Sequence, residues 1–351
     1  MKPRVYLDWN ATTALQPEAR AAMVAALDVV GNPSSVHAEG RAARAVIERA
    51  RAQVAAALGA DGADVIFTSG ATEAAALALA GRGLSGAAIE HDAVRAWVVE
   101  DLQVKPDGRV IVPDPARATL QMANSETGVV QDLPKGLAVS DLSQAFGKIP
   151  FAFNWLGVDM AFVSAHKLGG PKGVGALVLR RGLDVAAQLR GGGQEMGRRA
   201  GTENIVGIAG FGAAAEAAAR DLAKGVWERV AVIRNILETA LDARANKTTF
   251  VGNGSKRLPN TLCLATPGWK GETQVMQMDL AGYAISAGSA CSSGKLRPSA
   301  VLGAMGFDAA TALGAIRVSL GPDVTEDQVL SFADAWGKEY DRFAARQGAG
   351  R

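Results

Sequence analysis

Met160-Ala161-Phe162-Val163-Ser164-Ala165-His166-Lys167-Leu168-Gly169-Gly170-Pro171-Lys172-Gly173 sets one lysine between a short apolar run and a glycine-rich turn. Residues 160–163 read as a buried strand, and Ser164 to Lys167 lie at its carboxyl end, where open α/β sheets hold their ligands. Desolvation there penalises the ammonium and favours the neutral amine, the form that attacks a carbonyl. Lys167 is therefore a candidate Schiff-base lysine, with a solvated loop lysine as the other reading of this segment.

Outward from this stretch, strand and helix signals alternate. Val65-Ile66-Phe67-Thr68 precedes a helical segment over 71–80, and Ala87-Ala88-Ile89-Glu90 precedes another over 92–102. Such alternation predicts an α/β fold with a mostly parallel sheet. The alanine-rich segments 36–58, 205–223 and 226–244 predict long helices packed on it. After about residue 245 the texture changes to polar turns, then to short strands over 261–265, 283–286 and 315–319 and helices over 273–281, 298–305 and 325–343. The expected division is a large unit over 14–245 and a smaller α+β unit made of 1–13 with 246–351. No repeat, low-complexity tract or flexible linker separates them, so the cleft between them is the expected site.

Composition narrows the function classes. In 351 residues, 48% are hydrophobic and 41 are glycine, enough for a large buried core. A net charge of +2 without a dense Lys/Arg stripe argues against nucleic acid as a partner. No window approaches the roughly 18 apolar residues of a membrane span, and Lys2, Arg4 and Asp8 interrupt any signal-peptide core, so a cytoplasmic protein is expected. Two cysteines, Cys263 and Cys291, make no disulfide framework and lack metal-ligand spacing, so no metal is expected.

Several loops carry chemistry. Thr68-Ser69-Gly70-Ala71-Thr72-Glu73 joins a strand to a helix start; the N–H groups of Ala71 and Thr72 suit a phosphate, though a plain strand–helix turn has the same signature. Asn124, after Thr119-Leu120-Gln121-Met122, and Asp141 with Gln144, after Leu137-Ala138-Val139, sit at strand ends. Asp141 suits a pyridinium nitrogen, and Asn124 and Gln144 a ring hydroxyl; helix caps or turns are the alternative. His91 can stack on a cofactor ring and exchange protons, or be a surface histidine. Cys291, in Gly288-Ser289-Ala290-Cys291-Ser292-Ser293-Gly294, reads as an exposed nucleophile, whereas Cys263 in Thr261-Leu262-Cys263-Leu264 reads as a packed strand residue. Arg317 interrupts an apolar strand, where its guanidinium can grip a substrate carboxylate or close an internal salt bridge.

These segments, in this order, resemble the pyridoxal-phosphate cysteine desulfurases of the NifS/IscS type within the class V aminotransferases. The resemblance runs nearly end to end. It is carried by Tyr6-Leu7-Asp8-Trp9-Asn10-Ala11-Thr12-Thr13, Gly31-Asn32-Pro33-Ser34-Ser35, Ser69-Gly70-Ala71-Thr72-Glu73, Glu90-His91, Asn124-Ser125-Glu126-Thr127-Gly128, Ser164-Ala165-His166-Lys167, Gly191-Gly192-Gly193-Gln194-Glu195, Arg199-Ala200-Gly201-Thr202-Glu203-Asn204 and Gly288-Ser289-Ala290-Cys291.

The resemblance implies a fold type I enzyme that converts L-cysteine to L-alanine, with the sulfur left on Cys291 as a persulfide. It implies pyridoxal 5'-phosphate on Lys167, phosphate contacts from Ala71, Thr72, Ser164 and His166, ring contacts from Asn124, Asp141 and Gln144, and His91 over the ring. For the substrate it implies Arg317, Asn10 and Asn124. It also implies a homodimer in which Thr202 reaches the neighbouring subunit's site, and a sulfur-acceptor protein serving iron–sulfur clusters or another thio-cofactor. A class V aminotransferase or lyase acting on another amino acid, or on selenocysteine, would keep Lys167 and Asp141 but has no need of Cys291. The sequence departs from the family over 103–142, which is short, carries Pro106, Pro113 and Pro115, and leaves little room for a helix before Asp141.

Overall fold

A computed structural model of the chain describes residues 4–288 and 297–349. In chain order the first half consists of β1 (Val5–Tyr6), α1 (Pro17–Leu27), α2 (Ala38–Leu58), β2 (Asp64–Thr68), α3 (Ala71–Leu79), β3 (Ser85–Ala87), α4 (Asp92–Arg95), β4 (Val99–Leu102), β5 (Val139–Asp141), α5 (Phe153–Leu156), β6 (Met160–Ser164) and β7 (Gly175–Leu179). It continues with α6 (Ile205–Ala223), α7 (Val226–Asp242), β8 (Thr249–Val251), β9 (Thr261–Ala265), α8 (Gly271–Leu280), β10 (Tyr283–Ala284), β11 (Ser286–Ala287), α9 (Ala300–Ala304), α10 (Ala309–Leu313), β12 (Ala315–Ser319) and α11 (Glu326–Ala349).

Strands β2, β7, β6 and β5 lie side by side in that order. β7 is antiparallel to β2 and β6, whereas β5 and β6 are parallel. Parallel bridges from Thr119 to Val139 and from Ser85 to Ala118 carry the row on to β3, which pairs with β4 in parallel. The sheet is mostly parallel, as the strand–helix alternation predicts, with β7 running against the rest. Side chains of a strand alternate between faces. Met160, Phe162, Leu177 and Leu179 accordingly join the core under α3, and Ala161, Val163, Ala176 and Val178 join the core under α2 and α6. Both faces are covered, which is why β6 and β7 read as unbroken apolar runs.

Helix α2 follows from its spacing: Ala43, Ile47, Ala50, Val54 and Leu58 recur every three or four residues and are buried. His37 caps its first turn, accepting from Gly40 N, and Gly59 ends it in the left-handed region at φ 60°. The helix expected over 92–102 is instead the single turn α4 followed by β4. Trp97-Val98-Val99 supplies bulky and β-branched side chains that favour extended backbone, and β4 gains a ladder with β3. Between β4 and β5 the described helical structure is one 3-10 turn at Pro115–Arg117, in keeping with the prolines of that stretch.

A second sheet, β11-β12-β9-β8, is antiparallel throughout. Leu262, Leu264, Ile316 and Val318 face a core shared with α7 and α11. Cys263, Ala265 and Ala315 face Leu302, Met305 and Ala312. β1 pairs in parallel with β10, and Leu7 enters the first of these cores. α7, grouped by sequence with the large unit, also buries Trp227, Val230, Ile233, Leu237 and Leu241 in that core. Its apolar face has α11 as a partner, so this core begins before residue 245. Trp336 of α11 is fully buried, stacks on Tyr340 at 5.4 Å, and donates from Nε1 to Gln274 Oε1 at 3.0 Å. Trp336→Ala is expected to cost about 3–5 kcal/mol, read as a lowered denaturant midpoint. Among the described residues no helix is long and apolar enough to cross a membrane.

Candidate active site

β2, β5 and β6 run in one direction and end at Thr68, Asp141 and Ser164. At their carboxyl ends opens a cleft of about 500 Å³ lined by eight of the expected residues: Ala71, Thr72, His91, Asp141, Gln144, Ser164, His166 and Lys167. Lys167 stands in a single 3-10 turn directly after β6, and its Nζ donates to the main-chain oxygens of Asn10 at 2.7 Å and Ala11 at 2.9 Å. The amine is thus held at the cleft by the segment that follows β1.

One end of the cleft presents uncapped N–H groups. Gly70 takes φ 158° and ψ 176°, a conformation adopted almost only by glycine, and no side chain caps α3. The N–H groups of Ala71 and Thr72 therefore have no acceptor among the described residues and sit at the positive end of the helix. Ser69 N is taken by Glu73 Oε2 at 2.8 Å, and Glu73 is fixed by Arg199 Nε at 2.8 Å. The Lys172 side chain, which sequence gave no role, adds a cation to the same wall. His166 is paired through Nδ1 with Thr12 Oγ1 at 3.2 Å. Burial, with Lys167 and Lys172 nearby, lowers its pKa to about 4, so it stands neutral at pH 7.

That shift has a measurable consequence. A histidine whose folded pKa lies below its unfolded value of about 6.5 favours the unfolded chain as acid protonates it. The stability His166 supports is full above about pH 6.5 and is lost progressively toward pH 4. The apoprotein of His166→Asn should show a shallower fall of melting temperature across that window than the wild type.

At the other end, Asp141 accepts from Ser143 N through Oδ1 at 2.8 Å. Burial raises its carboxyl above the usual range, against the hydrogen bonds of Ser143 and the charges of His91 and Lys167. His91 caps α4, with Nδ1 accepting from Ala93 N at 3.1 Å; this assigns the proton of the neutral ring to Nε2. Gln144 donates from Nε2 to Asn10 O at 3.0 Å and accepts at Oε1 from Lys148 Nζ at 2.8 Å.

Four expected residues stand elsewhere. Asn124 is buried behind the cleft, where Oδ1 accepts from Glu126 N, Thr127 N and Thr127 Oγ1 and Nδ2 donates to Ile89 O at 3.0 Å; its amide shapes the turn at 124–128. Asn10 points its amide inward, onto Ser125 O and Thr261 Oγ1, and only its main-chain oxygen meets Lys167. Arg317 pairs with Asp8 at 2.7 Å and donates to Ser125 O at 3.1 Å, which is the internal salt bridge its sequence also allowed; its Nε has no acceptor among the described residues. Thr202 is exposed and lines a smaller cleft of about 220 Å³ that shares Ser69 and Gly173 with the first. Cys291 lies outside the described residues.

Two groups escaped the sequence. Lys148 is 1% exposed and bonded to Asn10 and Gln144. A lysine four residues after Gln144, between Phe146 and Phe151, was the signal. Glu126 is buried against Gly288, with Oε1 unpartnered among the described residues; burial lifts its pKa to about 7, opposed by Ser299 and Arg317.

The residues present fit pyridoxal phosphate. An amine able to take an aldehyde, a carboxylate able to face a ring nitrogen and an uncapped helix start able to hold a phosphate line one cleft.

The family described as aminotransferase class-V matches residues 5–95 and 94–332. A cysteine desulfurase of Cereibacter sphaeroides is 40% identical over 364 positions, covering 93% of this chain and 93% of its own. Among solved structures, a NifS-like protein from Rickettsia africae aligns with a TM-score of 0.87 at 31% identity, over 96% of this chain and 99% of the other. SspA in complex with cysteine aligns with a TM-score of 0.75 at 26% identity, over 91% and 99%.

Proposed function

The chain belongs to the class-V aminotransferase family, among its cysteine desulfurases, and from that premise we propose that the Lys167 cleft takes pyridoxal 5'-phosphate and L-cysteine. The observation that carries the reading is the convergence of Lys167, Asp141 and the open N–H groups of α3 on one cleft.

Ala71, Thr72, Ser164 and His166 would hold the phosphate, and Asp141 the ring nitrogen. Bound there, pyridoxal phosphate supplies an electron sink that lets a carbanion form at the substrate's α-carbon. Lys167 Nζ, held by the oxygens of Asn10 and Ala11, moves the α-proton. Asp141, as carboxylate, keeps the ring nitrogen's proton in place through the oxygen that Ser143 N does not occupy. His91 covers the opposite wall with its Nε2–H turned away from its cap bond. Cys291 accepts the substrate sulfur: a substrate thiol and a protein thiol become alanine and a protein persulfide, with no outside oxidant.

The protein acts as a homodimer in the cytoplasm, with Thr202, exposed on one protomer, serving the partner's site. The persulfide goes to an acceptor protein for iron–sulfur cluster or other thio-cofactor synthesis. Arg317, oriented by Asp8 at 2.7 Å, would meet the substrate carboxylate with the guanidinium N–H groups that Asp8 and Ser125 leave over.

Purified protein with pyridoxal phosphate, L-cysteine and a thiol reductant should release alanine and sulfide in equal amounts. Cys291→Ala should keep the visible absorption of the lysine-bound cofactor and lose sulfide release. A yellow wild-type protein that forms no alanine from cysteine would overturn the substrate assignment.

A further inference from the structure

Lys148 has the burial of a core residue and the chemistry of a site residue. Its Nζ donates to Asn10 Oδ1 at 3.0 Å and to Gln144 Oε1 at 2.8 Å, and it forms no ion pair with an acid among the described residues. The charged groups that act on it are Lys167 and Arg317, both cations. Two acceptors match the two N–H bonds of a neutral amine, whereas an ammonium would bury a third N–H with no acceptor for it among the described residues. Burial and the two cations also push its proton affinity well below that of an ordinary lysine.

The bonds continue toward the cleft. Because Gln144 must present Oε1 to Lys148, its Nε2 is turned to Asn10 O at 3.0 Å, and that same oxygen accepts Lys167 Nζ at 2.7 Å. Asn10 Oδ1 is shared between Lys148 and Asn260 Nδ2 at 3.1 Å, which closes the ring of contacts. We propose that Lys148 is a positioning residue: a neutral amine that fixes the Gln144 amide and the Asn10 carbonyl in the orientation that receives the Lys167 side chain. This rests on the reading of the Lys167 cleft given above.

Three variants test it. Lys148→Met keeps the chain length and removes both donors; Lys148→Arg keeps donors but carries a charge that cannot be shed; Lys148→Gln keeps a neutral donor. Lys148→Met should lower kcat about tenfold, the equivalent of one lost hydrogen bond, with KM for cysteine within about twofold. It should leave unmoved the pH midpoint of the visible band given by lysine-bound cofactor, because no charge is removed. Lys148→Arg should lower that midpoint by about one unit, since an added cation repels a proton on the Lys167 nitrogen. On unfolding at pH 8, the wild-type apoprotein should take up about one proton more than Lys148→Met or Lys148→Gln, read by calorimetry in buffers of differing ionisation enthalpy.

Unchanged kcat, an upward midpoint in Lys148→Met, or equal proton uptake would each overturn the assignment. If Lys148→Met does not fold, Lys148→Gln gives the same midpoint and proton count. If wild-type protein shows no visible band with pyridoxal phosphate, the cofactor reading fails while the proton count still decides the state of Lys148.

Discussion

Lys167→Ala is expected to lower alanine formation from L-cysteine about 10⁴-fold, the upper end of what a positioned proton-transfer group contributes. The loss is large because one nitrogen has two tasks in the proposed reaction, anchoring the cofactor and moving the α-proton, and among the described residues no other amine is placed to inherit them. Lys148 is enclosed by Asn10 and Gln144, and Lys172 lines the same cleft as the uncapped start of α3. Folding should be little affected, because the bonds lost among the described residues include two donations to the carbonyls of Asn10 and Ala11 at the edge of the cleft. The check is turnover together with the visible spectrum and the melting temperature. Retention of more than about a hundredth of the wild-type rate would remove Lys167 from the centre of the chemistry.

Asp141→Asn is the second large effect, about 10²–10³ in kcat, the scale on which one charge-stabilising contact at a reacting system is measured. The amide keeps the shape and can still accept from Ser143 N, but it cannot hold a proton on a ring nitrogen. The apoprotein should respond in the opposite sense. A carboxyl whose folded pKa is raised contributes stability below the unfolded pKa and loses it as pH rises through the folded value, so the ionised group is a burden at pH 7. Asp141→Asn without cofactor should therefore melt higher than wild type at pH 7 and no higher at pH 3. An apoprotein that melts lower at pH 7 would contradict the burial argument.

The chemistry-bearing loops were legible because each sits where a local signal changes: apolar run to glycine turn at Lys167, strand to helix start at Ala71 and Thr72. The reversal of β7 was not legible, since a strand buried on both faces has the same apolar run in either direction. Arg317 shows a different limit. Its sequence allowed a substrate clamp or a salt bridge, and the bridge's partner, Asp8, stands 309 positions away, beyond the reach of any local signal. Asn10 is a substrate contact by resemblance, yet its side-chain NH2 donates to Thr261 and Ser125. Lys148 was passed over because a lysine reads as solvated, and only the enclosure of Gln144 and Asn10 reveals otherwise.

The pairing of β1 with β10, the Asp8–Ser319 bridge and the bond from Asn10 N to Ser319 Oγ tie the beginning of the chain to one of its last strands. During synthesis those partners are about 300 residues apart, so at about 5–20 residues per second the early segment waits on the order of a quarter-minute or more before its neighbours emerge. The oxygens of Asn10 and Ala11 that hold Lys167 are on that waiting segment. A ribosome-bound chain can thus display the strand end at Ser164 and the start of α3 before the carbonyls that receive Lys167 are fixed by their late-emerging neighbours.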